Sequence, residues 1–448
     1  MLFTWHYLLL VLVTALVYYG CLKKHPFITL STFSLAIITF WSIPSAIIVV
    51  VLTTITYLSK EKGKIICYTT IGLHLLALYF IKTDLLWTSE LHDSKSWTLL
   101  GLSYFSLQNV SFLLDNKNTV KFHELLLGNI FFSKFIAGPI LLNKDLPHLF
   151  NTKNDTKELI AIGTQRILYG LGKKFILADR LGIITNNLFS AEDSLQNLFS
   201  MSVASALFTL QMYLDFSAYS DIAIGTAKIF GINLKENFNL PLRSKSTTDY
   251  WRKTHISLID FLSIHVYYPI VYQLRKHPLL SITSALFITF TLSGWWHGNH
   301  MGYLLWGGIN GSYLLLEYLW KKQGFPKSNR IIGITLTFIL ISASNFFFKA
   351  KNWENITEIG RAIKSNPIFP QNWMVDFVAI IGNGGHFIQQ YNLLETLGLL
   401  ILFLSLEKRL EQKAKNKQFS YTYLVISILS ILFFGNFNAG DEFIYVQF

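Results

Sequence analysis

The sequence predicts an all-α integral membrane protein of about eleven transmembrane helices, and three observations lead there. Of its 448 residues, 52% are hydrophobic and only 14% are charged, well under the roughly 25% charge of soluble domains. The apolar residues come in blocks, among them 1–19, 65–81, 281–296 and 421–434, several near the ~20 residues that cross a hydrocarbon core. The basic residues behind the net charge of +12 lie between those blocks. They form no continuous basic face, which argues against a nucleic-acid partner and for loops facing the lipid bilayer.

Taken in order, residues 1–19 lack a basic leader and a small-residue cleavage site, so they read as a retained first span. Lys23 and Lys24 follow it, and the positive-inside bias then places the N-terminus outside. The same bias puts most of the other basic clusters, Lys60–Lys64, Lys173–Lys174, Arg275–Lys276, Lys321–Lys322 and Lys408–Lys417, on the cytoplasmic side. Up to about residue 83 the chain reads as three or four spans, broken at Pro26, at Pro44 and at the 60–64 loop. Residues 85–96, with Trp87, Glu90, His92, Asp93 and Lys95, read as an interfacial loop flanked by Trp87 and Trp97. The run LLGLSYFSLQNVSFLL (99–114) carries Ser106, Gln108, Asn109 and Ser111, which need protein partners inside lipid. In KFIAGPI (134–140), Gly and Pro side by side predict a broken or re-entrant segment. Residues 159–177 form a span ending at Lys173 and Lys174. The stretch 200–232 holds Asp215 and Asp221 among small and apolar residues. Its two aspartates are six apart, so they fall on different helix faces and read as pairing groups. Residues 233–253 are too polar to span. About five further spans follow, with a soluble-looking loop at 349–374 and a charged loop at 407–417.

No repeat or linker divides the chain. It reads as a single membrane domain over 1–448, with N-terminal helices at 1–98, a core at 99–348 and a C-terminal loop and helices at 349–448. Cys21 and Cys67 have neither disulfide nor metal-ligand spacing, so no metal and no bound cofactor is expected.

Of the twelve histidines, His25, His123, His148 and His277 lie in polar loops and read as solvated, while His6 and His74 in apolar runs suit interhelical hydrogen bonds. Two stand in unusual clusters: His255 in DYWRKTHISL (249–258) and His297 in LSGWWHGNH (292–300). An ionisable group within a span is costly and is read as functional. A neutral imidazole accepts a proton from a hydroxyl near neutral pH, which suits acyl transfer to an alcohol. Neither GxSxG nor HExxH occurs, which leaves a serine hydrolase or zincin without support.

The stretch 210–258, running from LQMYLDFSAYSD to WRKTHISL, together with GWWHG (294–298), resembles the membrane-bound O-acyltransferase (MBOAT) superfamily. The resemblance is closest to the membrane subunits of alginate O-acetyltransferase. LGLSYFSLQNVSFLLD (100–115), FIAGPI (135–140), KKFILADR (173–180) and FIYVQF (443–448) extend it from about residue 99 to the C-terminus. What it implies is a ring-like helix bundle with re-entrant segments around a central tunnel in a bacterial inner membrane. His255 and His297 would lie near the tunnel's narrow middle. A cytoplasmic thioester, acetyl-CoA or another acyl thioester, would serve as co-substrate. His297 would act as general base and His255 would polarise the thioester carbonyl. Trp251, Arg252, Trp295 and Trp296 would shape the passage, and Arg243, Lys245 and Arg252 would meet donor phosphates. An extracytoplasmic SGNH-type partner would then esterify a polysaccharide acceptor. Two departures stand out. Alginate-type members carry a further histidine in a WGxxHG element where this chain reads LWGGINGSYLL (305–315), with Asn310 in its place. An amide donates and accepts hydrogen bonds but moves no proton at neutral pH. In WRKTH, Thr254 replaces a usual Trp. The acceptor therefore stays open among alginate, peptidoglycan and another exopolysaccharide. The alternatives are D-alanyl transfer to teichoic acid from a carrier protein, transfer to a lipid or protein, and a non-enzymatic transporter, for which the inverted repeats are missing.

Overall fold

A computed structural model describes residues 5–22, 24–82, 100–115, 120–150, 155–191, 196–324, 329–368, 393–415 and 420–437. The expectations on Lys23, on the loop with Trp87 and Trp97, and on 443–448 fall outside these residues. Among the described residues the regular elements are all helical. They run α1 (Trp5–Val17), α2 (Pro26–Trp41), α3 (Ile43–Ser59), α4 (Lys64–Lys82), α5 (Leu102–Leu114), α6 (Phe122–Ile130) and α7 (Thr156–Gly172). There follow α8 (Asp179–Phe189), α9 (Leu198–Ile229), and the short α10 (Thr247–Trp251), α11 (Ile256–Leu262) and α12 (Tyr268–Gln273). The last are α13 (Pro278–His297), α14 (Met301–Lys322), α15 (Arg330–Ala350), α16 (Trp353–Ser365), α17 (Leu393–Ala414) and α18 (Tyr421–Phe434).

Among the described residues, α13 and α15 are by length and composition long and apolar enough to cross a membrane, and five shorter apolar helices accompany them. At 20 and 21 residues, the two reach about 30 Å each.

The chain divides into two compact units, one of Met1–Leu171, Tyr219–Asn237 and Lys413–Leu424, the other of Gly172–Ala218, Phe238–Gln412 and Val425–Phe448. In the first unit the soluble pattern is reversed. Phe40 and Ile65 are 85% and 81% exposed, whereas Ser34, Thr53, Thr56, His74 and Asn109 are fully buried. Such a distribution suits a solvent that is itself apolar, with polar groups finding partners inside. The His74 imidazole, on α4, bonds Thr56 of α3 at 2.9 Å and Ser106 of α5 at 3.3 Å. Asn129 donates to Thr53 at 2.9 Å and to Asn109 at 2.7 Å, and Lys134 donates to Gln108 at 3.1 Å. The polar groups of 99–114 thus meet protein, as the sequence predicts. Lys60, expected as a loop charge, instead caps α5, donating to the carbonyls of Phe112 at 2.7 Å, Leu113 at 3.1 Å and Asp115; cations favour this end of a helix.

Residues 131–142 leave the helical path while staying buried throughout. Their backbone is held by turns and by Tyr219, whose hydroxyl accepts from the Ala137 amide at 3.1 Å. This is the broken segment that the adjacent Gly138 and Pro139 predict, tolerated because protein encloses it. Asp221 pairs with Arg166, whose guanidinium also forks onto Glu236 at 2.6 and 3.0 Å. Burial would raise the Glu236 carboxyl, but Arg166 beside it prevails and holds it below the usual carboxylate range.

In the second unit, Lys173 and Lys174 differ from expectation. Both are buried within a π-helical turn, Lys173–Ala178, and do not face the cytoplasm as loop charges. Lys174 lies 2.8 Å from both Asp179 and Asp215, and Lys173 donates to Ser217 at 2.8 Å. The two aspartates of α9 therefore pair with different partners. The loop expected at 349–374 contains α16, started by Asn352, whose side chain accepts from the Asn355 amide at 2.9 Å. The charged loop expected at 407–417 is helical through Ala414, and Glu407 is buried with Tyr213 donating to it at 2.5 Å.

Helices α13 and α14 approach closely. A Cβ on Gly294 would run into the Tyr303 carbonyl, and one on Gly307 into the Phe290 carbonyl. Glycine there lets the two backbones touch, as small residues do between membrane helices. On Gly308 a Cβ would find ordinary contact with the Phe287 ring at 3.6 Å. Gly307→Ala should therefore lower the melting temperature of the protein in detergent, overpacking costing about 1–3 kcal/mol. Gly308→Ala should leave it unchanged or slightly higher, since Ala is the better helix former. Equal melting of the two variants would contradict the close approach.

Candidate functional site

His255 precedes α11 in a left-handed conformation, φ 45° and ψ 48°. Such a backbone costs an L-residue roughly 1–2 kcal/mol, and strain of this kind persists where the surroundings impose it. Its carbonyl accepts the Leu258 and Ile259 amides at 3.0 and 3.1 Å, starting α11, while just upstream the Asn239 amide donates to the Lys253 carbonyl at 2.9 Å. The imidazole is buried edge-on to Phe216, with ring centroids 4.7 Å apart, and lies 6.0 Å from Trp296. His297 is the last residue of α13, ahead of Gly298. Its ring is boxed by Trp306 at 5.3 Å and Phe348 at 5.1 Å.

Both histidines line one cavity of about 30 Å³ in the second unit. That is room for two or three water-sized groups. α9 contributes Met212 and Phe216, α10 Trp251, α13 Ser293, α14 Trp306 and α15 Asn345. A neutral imidazole carries one donor and one acceptor nitrogen. Two of them on one small cavity can remove a proton from one reacting group while donating to another.

Two amides fix the aromatic walls. Asn310, fully buried, accepts from the Trp251 indole N–H at 3.3 Å and donates to the Trp306 carbonyl at 2.8 Å. Asn345 accepts from the Trp306 indole N–H at 2.9 Å and donates to Thr209 at 3.0 Å. Trp251 and Trp306 meet edge to face, 5.5 Å apart.

Of the sequence candidates, the structure brings His255, His297 and Trp251 onto the cavity, with Asn310 and Trp296 packed behind its lining. Trp295 is half-buried and outside the lining, and Arg252 and Lys245 are exposed. Arg243 is half-buried, donating to the Leu404 carbonyl at 3.1 Å and lying 3.9 Å from Glu407. Among the described residues no three His, Cys, Asp or Glu side chains converge on a metal site. Trp306 and Asn345 were not among the candidates. Trp306 falls in the same LWGGIN element as Asn310, a signal that pointed there; Asn345 lies in an apolar run, and its partner Thr209 is 136 residues distant.

The membrane-bound O-acyltransferase family model matches residues 33–328. The chain is 31% identical over 258 residues to "Probable alginate O-acetylase AlgI" of Pseudomonas aeruginosa, covering 56% of this chain and 49% of that protein. It is 28% identical over 312 residues to the peptidoglycan O-acetyltransferase of Helicobacter pylori, covering 62% of this chain and 58% of the other. To the teichoic acid D-alanyltransferase of Bacillus subtilis it is 27% identical over 278 residues, covering 57% and 69%. The chain spans about half the length of the alginate relatives it matches. The family match runs from within α2 to beyond α14 and takes in both cavity histidines, and the chain belongs to the membrane-bound O-acyltransferase family.

Proposed function

We propose that this protein moves an acetyl or similarly short acyl group from a cytoplasmic thioester, acetyl-CoA, across the membrane for O-acetylation of an extracytoplasmic polysaccharide. The observation that carries this reading is the cavity that His255 and His297 both line. The acceptor hydroxyl gives its proton to His297 as its oxygen attacks the thioester carbonyl. His255 donates to the carbonyl oxygen as negative charge develops there. The carbon–sulfur bond then breaks, and the departing thiolate takes up the proton that His297 holds, which returns the imidazole to its neutral form. Trp251 and Trp296 exclude water, while Arg243, Lys245 and Arg252, all in the polar segment ahead of α11, meet the donor's phosphates.

In this reading 1–448 acts as one multi-pass domain of about eleven spans in the inner membrane, a ring around a tunnel entered by donor and acceptor from opposite sides. The relatives named for acetylation of alginate and of peptidoglycan support an acceptor of that class, and an SGNH-type partner would complete the transfer. The D-alanyl relative supplies a second reading, in which a carrier protein delivers an aminoacyl group. Acetyl is favoured because the described lining holds no carboxylate for an ammonium group, and an unpaired buried charge is costly.

Two variants test the assignments, read as acetyl released from surface polysaccharide by mild base and normalised to membrane protein level. His297→Ala should lose about 10²–10⁴-fold, the contribution of a general base; near-normal acetylation in a well-expressed mutant would remove His297 from the mechanism. Asn310→Ala should cost less, about 1–3 kcal/mol for the partners it leaves unpaired. Asn310→His, which still offers Trp251 an acceptor, should retain most activity. Loss with Asn310→Ala as deep as with His297→Ala would place Asn310 in the catalytic set.

A further inference from the structure

We propose that Asn345 is a specificity-determining positioning residue, which fixes the Trp306 indole as an end wall and so limits the transferred acyl group to two or three carbons. The inference rests on the acyl-transfer reading above and adds to it a length limit with a named cause.

Asn345 can hold only one orientation. Thr209 spends its hydroxyl proton on the Ser205 carbonyl, at 2.8 Å, so toward Asn345 it can only accept. The amide nitrogen must therefore face Thr209, at 3.0 Å, and the amide oxygen must face Trp306. An indole N–H is donor only, and a flipped amide would oppose acceptor to acceptor at Thr209 and donor to donor at Trp306. All these groups are buried, where a mismatched donor or acceptor is costly. Trp306 is thereby pinned through its N–H to α15 while its ring closes the cavity beside His297.

Asn310 pins Trp251 in the same manner, and the two rings, edge to face, brace each other. What remains is a cavity of about 30 Å³. It accommodates the methyl and carbonyl of an acetyl group, at two or three water-sized positions. A butyryl group adds two methylenes, and on this proposal they would meet the pinned rings.

The test uses the full-length protein in inverted membrane vesicles supplied with radiolabelled acetyl-CoA or butyryl-CoA. Label transferred to base-releasable esters is counted for wild type, Asn345→Ala, Trp306→Phe and the double variant. Wild type should favour acetyl over butyryl by about tenfold or more, on the scale set by small changes in a hydrophobic pocket. Each single variant should lower that ratio about tenfold, and the double variant no further, since both act through one ring. A merely structural role would lower both donors equally and leave the ratio in place. That result in either variant overturns the proposal, as does a wild type that accepts butyryl as readily as acetyl. A wild type that transfers neither group overturns the acyl-transfer reading itself.

Discussion

Inside a hydrocarbon solvent no polar group can look to water for a partner, and this constraint organises both units of the protein. It accounts for the fully buried His74, bonded to helices on two sides. It accounts equally for the unwound segment 131–142, whose backbone is surrounded by protein and tied to a tyrosine hydroxyl. Charge follows the same rule. Arg166 is neutralised by Asp221 and Glu236, and Lys174 by Asp179 and Asp215. Removing one member of such a set would strand a buried charge, which is far more damaging than replacing the set as a whole.

Within the second unit, satisfying polar groups and building the cavity are one operation. The indole nitrogens of Trp251 and Trp306 each require an acceptor, and Asn310 and Asn345 supply them. The rings are then held, and two histidines stand against them in a space of a few atoms. The left-handed backbone at His255 belongs to the same design, since it turns the chain from the polar segment into α11 while keeping the imidazole inside. Close contact of α13 with α14, allowed by Gly294 and Gly307, brings His297 within reach of Trp306.

Much of this was legible in the sequence. The membrane class follows from composition and from blocks of apolar residues, and His255 and His297 stand out because their neighbours are unlike any other histidine's. Asn310 was visible as a departure from a family pattern, though not its role as an acceptor for an indole. Other features depended on distant partners. Lys173 and Lys174 at the end of an apolar block read as loop charges, and only Asp215 and Ser217, more than 40 residues on, reveal them as buried. Glu407 looked like part of a solvated charged loop until Tyr213, 194 residues away, was placed beside it. Asn345 offers no local cue because an isolated amide in an apolar run is ordinary, and its meaning lies in the orientation that Thr209 enforces.

The central claim is that one buried cavity, shared by His255 and His297, receives the acyl group. A structure of the full-length protein with a non-hydrolysable acetyl thioester analogue tests it directly. The account predicts the acyl carbonyl between the two imidazoles, with its methyl against Trp306. An acyl group bound elsewhere, with both histidines away from it, would contradict the account.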